Sequence, residues 1–235
     1  MRVDILGIEL DALSMAECVA RIAGAVEAHS RLRVVTANPE MICAAGKDPD
    51  LRRVINSAGL VTADGVGVVW AAGRLGTPVP ERVTGIDLLE ALFPLASRRH
   101  WRICLLGARP GVAAEAARRV GESCPGIVWQ AAHGYFDPAE EADVIKRIGD
   151  FKPDLLLAGL GAPRQEFWLA EHEGLATVSM GVGGSFDTLA GLIGRAPAWL
   201  RRMRLEWLYR LLKEPRRWRR QAVLPGFVLK VWRGR

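Results

Sequence analysis

The sequence predicts an α/β fold: an open, mainly parallel sheet with helices on both faces, followed by a basic helical appendage at the C-terminus. Three observations lead there. Short β-branched runs alternate with longer segments of helical period, the pattern of parallel strands joined by crossover helices. Most of these runs end in glycine-bearing turns that open the next helix. The charge is also split unevenly: of 235 residues, 1–194 hold 19 basic and 24 acidic side chains, whereas 195–235 hold 13 basic ones against Glu206 and Glu214 alone.

In chain order, strands are expected at 3–6, 32–37, 60–63, 102–106, 128–132, 155–160 and 177–182. Helical segments fill the gaps. Ser14 with Glu17 forms a capping-box pair opening a helix to about residue 28. Asp48 before Pro49 reads as an N-cap with proline at the first helical position, and Asp137-Pro138 opens another helix ending near 150. Segments 110–123 and 163–172 each begin with a proline after a glycine-bearing turn. No repeat or low-complexity linker interrupts the chain. The simplest division is a Rossmann-like α/β domain, 1–194, and a Trp-rich appendage, 195–235.

Composition closes several alternatives. Half the residues are apolar and a quarter charged, which excludes intrinsic disorder, collagen-like repeats and a disulfide-stapled miniprotein. No window holds the roughly 18 consecutive apolar residues of a membrane span, and the N-terminus lacks a signal peptide's apolar region. The chain is therefore expected in the cytosol. Cys18, Cys43, Cys104 and Cys124 lack CxxC spacing and read as buried free thiols. His29, His100, His133 and His172 lie far apart without HExxH spacing, so a metal-free site is expected.

The appendage carries Trp199, Trp207, Trp218 and Trp232 among its basic residues. That mixture suits nucleic acid, an anionic membrane face or a phosphate-bearing ligand.

Open parallel sheets bind ligands at the carboxyl ends of their strands, so the residues just after each run are the candidates. The run at 32–37 carries Thr36 and leads into Asn38-Pro39-Glu40; the run at 60–63 delivers Asp64-Gly65-Val66-Gly67. Gly107-Ala108-Arg109-Pro110-Gly111, Gly161-Ala162-Pro163-Arg164-Gln165-Glu166 and Gly183-Gly184-Ser185-Phe186-Asp187 follow later runs. Glycine turns entering helices bring backbone N–H groups close to phosphate or pyrophosphate. None of them completes GxGxxG, and no GxxxxGK[ST] exists, which weakens dinucleotide dehydrogenase and P-loop readings. Asp48-Pro49-Asp50 spells a DxD but sits where a helix cap belongs. Asp64, directly behind a strand, is either a general base or the N-cap of the helix starting at Val66; spacing leaves both open.

These residues resemble a known family. Thr36-Ala37-Asn38-Pro39-Glu40, Ala63-Asp64-Gly65-Val66-Gly67 and Arg82-Val83-Thr84-Gly85-Ile86-Asp87-Leu88 are similar to successive signatures of the WecG/TagA/CpsF glycosyltransferases, glycosyltransferase family 26. So are Gly159-Leu160-Gly161-Ala162-Pro163-Arg164-Gln165-Glu166, Gly181-Val182-Gly183-Gly184-Ser185-Phe186-Asp187, Arg195-Ala196-Pro197, and the tail from Leu205-Glu206-Trp207 through Pro215-Arg216-Arg217. The likeness covers nearly the whole chain in order.

The resemblance implies a bacterial enzyme that moves an N-acetylmannosamine-type sugar from a UDP donor to GlcNAc-diphospho-undecaprenol. The transfer would invert the anomeric centre without metal or other cofactor, and would feed teichoic acid, common-antigen or exopolysaccharide synthesis. Asp64 resembles the catalytic base, with Thr36 beside it; Asn38, Arg82, Gly161, Gln165 and Asp187 fall on the substrate side. Arg210, Arg217 and Arg220 match arginines that reach back from the appendage to the donor diphosphate. Gln221 departs from the pattern, standing where many relatives carry an aromatic residue. The expected partners are the UDP-sugar, the lipid-linked acceptor and the anionic inner leaflet, not nucleic acid; a homo-oligomer is compatible with this set. The expected location is cytoplasmic, peripheral on the inner face of the cell membrane. Two alternatives stand beside this one: nucleic-acid binding through the Arg/Trp-rich tail, and a different UDP-sugar enzyme such as a UDP-glucosyltransferase or epimerase.

Overall fold

A computed structural model of the chain describes residues 1–197 and 222–233, with Leu200, Tyr209 and Trp218 between them. A parallel sheet of six strands forms its centre, in the spatial order β4-β3-β8-β7-β5-β6. These strands are β3 (Leu32–Ala37), β4 (Leu60–Ala63), β5 (Arg102–Gly107), β6 (Val128–Ala132), β7 (Leu155–Gly159) and β8 (Val178–Gly181). Their bounds fall within one residue of the expected runs. β1 (Arg2–Ile5) and β2 (Ile8–Asp11) form a separate antiparallel hairpin.

The hairpin corrects the single strand expected at 3–6. Its turn is Leu6-Gly7, both at positive φ (54° and 87°), and the Asp4 carboxylate accepts a hydrogen bond from the Gly7 N–H at 2.8 Å. A leucine in the left-handed region is not a sequence signal for a tight turn, so β2 was hidden. The hairpin covers the β4 edge, where the Val61 N–H donates to Asp11 at 2.9 Å.

Alternation along the strands sends neighbouring side chains to opposite faces. Ile103, Leu105, Leu155, Leu157, Val178 and Met180 join a core with α1 (Met15–Glu27), α5 (Gly85–Arg98), α6 (Val112–Ser123) and α9 (Ser185–Leu189). On the other face, Cys104, Leu106, Leu156 and Ala158 meet α7 (Pro138–Phe151) and α8 (Arg164–Glu171). Val35, Ala37, Val61 and Ala63 meet the hairpin with α2 (Pro39–Ala45), α3 (Pro49–Asn56) and α4 (Val66–Arg74). The last helix, α10 (Leu224–Trp232), joins this third cluster through Phe227 and Val231. The far end of the chain is thus packed against its first third.

The expected caps are in place. Ser14 and Glu17 form a reciprocal capping box, as do Asp137 and Glu140, and the Asp48 carboxylate accepts from the Asp50 and Leu51 N–H groups. All four cysteines are free and buried. Burial pushes the Cys104 thiol up to about 12.

Candidate active site

The strands deliver their polar residues to one cleft of about 270 Å³ at the carboxyl ends of β3, β4, β7 and β8. Thr36 and Asn38 come from the end of β3, Asp64 and Gly65 from β4, and Gly161 and Ala162 from the turn after β7. Gly181 to Ser185 close the wall after β8, and Gln165 reaches in from α8.

A crossing segment supplies the remaining side. Val83 donates its N–H to the Ala63 carbonyl at 2.9 Å and accepts on its own carbonyl from the Thr62 hydroxyl at 3.1 Å. This pins Arg82 and Thr84 over the end of β4, so that Arg82, Thr84, Gly85 and Ile86 also line the cleft. The start of α5 sits directly over Thr36: a Cβ on Gly85 would lie 3.5 Å from the Thr36 hydroxyl oxygen.

The residue at the N-cap of α4 is Gly65, at φ 111°, and the cap has no side-chain hydrogen bond. Asp64 stands one residue ahead of that cap; its backbone N–H is tied to the Ala37 carbonyl at 2.9 Å, and it lines the cleft. Asn38 is shared between tasks, since its carbonyl oxygen caps α2 by accepting from Met41 at 2.9 Å while the residue lines the cleft.

An ion-pair cluster backs the crossing segment. Arg195 donates to both Asp87 and Glu90, and Asp87 also accepts from the Thr84 hydroxyl at 2.6 Å and from Arg82 at 3.4 Å. Burial works against ionisation of Asp87, but the Thr84 and Arg195 hydrogen bonds and the nearby Arg82 charge outweigh it and hold the carboxyl below its ordinary value. Asp87 is thus committed to holding arginines.

Of the residues expected from sequence, Thr36, Asn38, Asp64, Arg82, Gly161 and Gln165 are brought together on the cleft wall. Asp187 sits a turn into α9, off that wall. Arg210, Arg217 and Arg220 lie outside the described residues. Thr84, Ile86 and Ser185 are wall residues that sequence reasoning did not single out, although the first two stand inside the 82–88 signature. Among the described residues, no three His, Cys, Asp or Glu side chains are grouped to hold a metal ion.

What this arrangement can do follows from its charges. The starts of α4, α5 and α8 border the cleft, and helix N-termini favour negative charge. Arg82 adds a cation to the lining and Asp64 a carboxylate. An open parallel α/β sheet with a polar cleft at the carboxyl ends of its strands has the architecture of an enzyme that binds its ligand there. The chain belongs to the glycosyl transferase WecG/TagA/CpsF family, whose sequence profile matches residues 3–235. It is 38% identical over 234 residues, covering 98% of this chain and 92% of the relative, to a protein of Staphylococcus aureus (strain MW2) named N-acetylglucosaminyldiphosphoundecaprenol N-acetyl-beta-D-mannosaminyltransferase. The protein of that name from Staphylococcus aureus (strain NCTC 8325 / PS 47) matches with the same identity and coverage.

Proposed function

We propose that this glycosyltransferase moves an N-acetylmannosamine-type sugar from a UDP donor onto GlcNAc-diphospho-undecaprenol, with inversion and without a metal. The observation that carries the reading is the convergence of Asp64 with Thr36, Asn38, Arg82 and Gln165 in one cleft bordered by helix N-termini. Asp64 takes the proton from the acceptor sugar's hydroxyl as that oxygen bonds to the anomeric carbon on the face opposite UDP. The anomeric C–O bond to the diphosphate breaks, and its electron pair leaves with UDP. A positioned base of this kind contributes about 10² to 10⁴ in rate. Arg82 and the N–H groups at the starts of α4, α5 and α8 meet the leaving charge, aided by Arg210, Arg217 and Arg220 of the appendage.

The reading divides the chain into a catalytic domain, 1–194, and an appendage, 195–235, that completes the site. Support comes from the two described ends of the appendage: Arg195 is ion-paired to α5, and Phe227 is fully buried against α2 and α4. The enzyme works at the inner face of the membrane, where its lipid-linked acceptor is presented. No helix among the described residues is long and apolar enough to cross a membrane. Instead α10 exposes Val228, Leu229 and Trp232 beside exposed Trp70 and Leu75 of the α4 region, with Arg74 lying over the Trp232 ring at 5.9 Å. Juxtamembrane basic residues add about 1 kcal/mol each at an anionic surface. The test incubates the protein with a short-chain lipid-diphosphate-GlcNAc and a panel of UDP-sugars, with and without EDTA. Transfer from UDP-N-acetylmannosamine that persists in EDTA is expected; transfer abolished by EDTA, or none with any UDP-sugar, refutes the reading.

A further inference from the structure

Two adjacent residues at the start of α8 form a pair, and the proposed function uses only the first of them, Gln165. The Gln165 side-chain NH₂ donates to Glu166 at 2.8 Å, and the Gln165 carbonyl oxygen accepts from the Gly183 N–H at 3.1 Å. Both side chains are buried, Glu166 at 3% exposure, and among the described residues the second Glu166 oxygen has no hydrogen-bond partner. The pair fits only because β8 ends without a side chain. A Cβ on Gly181 would lie 2.6 Å from the Gln165 nitrogen and 3.1 Å from the Glu166 oxygen.

An amide can be turned end for end at little steric cost, so its neighbours decide which end faces where. Here they agree. The Gly183 N–H is a donor and demands the carbonyl; Glu166 supplies an acceptor and demands the NH₂. One N–H of Gln165 then remains for the cleft that this residue lines. We infer that Glu166 fixes the Gln165 amide so that Gln165 meets the cleft's ligand as a hydrogen-bond donor to one of its oxygens.

Glu166 is in this account a positioning residue, acting through Gln165 and through the Gly183 turn. Its burial raises the carboxyl above its ordinary value, against the opposing effects of the Gln165 hydrogen bond, a backbone hydrogen bond and the Arg33 charge. The arrangement needs an acceptor oxygen at Glu166, not a charge. A ligand rich in charged oxygens, such as the diphosphate of UDP, is the chemical class such a donor serves. The inference therefore rests on the reading of this cleft as the UDP-sugar site.

The decisive variant is the swapped pair, Gln165→Glu with Glu166→Gln. A carboxylate at 165 can still accept from Gly183 and from the amide at 166, so the network closes in reverse. What it presents to the cleft is an acceptor. Thermal melting is expected to match the wild type, while affinity for UDP by calorimetry falls about tenfold or more, the usual consequence of losing a hydrogen bond to a charged group. Glu166→Leu is expected to weaken UDP binding, and Glu166→Gln to restore it. A swapped pair that binds UDP like the wild type overturns the inference, and so does one that melts well below it, because the network would then not be reversible. Equal loss in Glu166→Gln and Glu166→Leu overturns it as well. Failure of the wild-type protein itself to bind UDP removes the functional reading and this inference together.

Discussion

Replacing Phe227 with alanine tests how the end of the chain is held. Phe227 is fully buried and Val231 is 2% exposed, and these two are the buried side chains of α10. Burying each contributes about 1.5 to 3 kcal/mol, so roughly 3 to 6 kcal/mol anchors the helix. Truncating a buried phenylalanine to alanine removes about 3 to 5 kcal/mol, most of that anchor. The ring also approaches the active-site side of α4, 3.9 Å from where a Cβ on Gly67 would stand. The nine residues of α10 cannot remain an isolated helix in water, being shorter than the 12 to 15 residues at which helices become even marginal. The expected outcome is local release. Amides of 224–232 lose hydrogen-exchange protection, those of β3 and β8 keep it, and the main melting transition moves by no more than a few degrees. If the loss fell on global stability instead, the transition would drop by about 6 to 20 °C for a chain of this size. Unchanged protection at 224–232, or that large global drop, refutes the reasoning. Trp232→Ala, at a site 67% exposed, serves as the control and should leave the helix docked.

Other consequences follow from single contacts. Gly107 has φ 149°, and a Cβ there would stand 2.5 Å from the Gly159 carbonyl group on β7, so Gly107→Ala must push two central strands apart. A loss of about 1 to 3 kcal/mol is expected, read as a lower melting temperature. Asp87 is held below its ordinary value, so its share of stability is present above the usual aspartate range and lost as pH falls through its lower folded value. Arg195→Ala removes a main cause of that shift and should flatten the acid limb of a melting-temperature profile; an unaltered limb would argue against the cluster. The thiols, buried and with Cys18 and Cys104 pushed up to about 11 and about 12, should resist a thiol reagent at pH 8 until the protein is unfolded in denaturant.

Much of the frame could be read from periodicity because the central strands are continuous apolar runs, buried on both faces, and each ends at a glycine or a polar residue. Thr36, Asn38, Asp64 and Gly161 were legible for the same reason: they stand where strands stop. The hairpin's second strand was not, since its turn places a leucine where asparagine or glycine is the usual sign. Spacing left Asp64 between two roles, and the structure adds that Gly65 is the residue at the N-cap of α4. The wall formed by Thr84 to Ile86 depends on a segment crossing the end of β4, held by one backbone hydrogen bond and one from the Thr62 hydroxyl that no pattern encodes. The partners of Arg195 stand 108 and 105 residues earlier in the chain. Glu166 stood in full view beside Gln165, but its burial against the bare end of β8 became visible only in three dimensions. Asp187 shows the converse, a residue close to the glycine turn in sequence that the first turn of α9 carries off the cleft wall.

The central claim is that one carboxylate does the proton chemistry while the rest of the cleft holds the nucleotide. Asp64→Asn keeps the shape of that side chain and removes its basicity. With UDP-N-acetylmannosamine and a short-chain lipid-diphosphate-GlcNAc in EDTA, the account expects turnover to fall by about 10² to 10⁴ while UDP affinity stays within a few fold of wild type. Turnover near the wild-type rate in Asp64→Asn would contradict it and move the base elsewhere in the site.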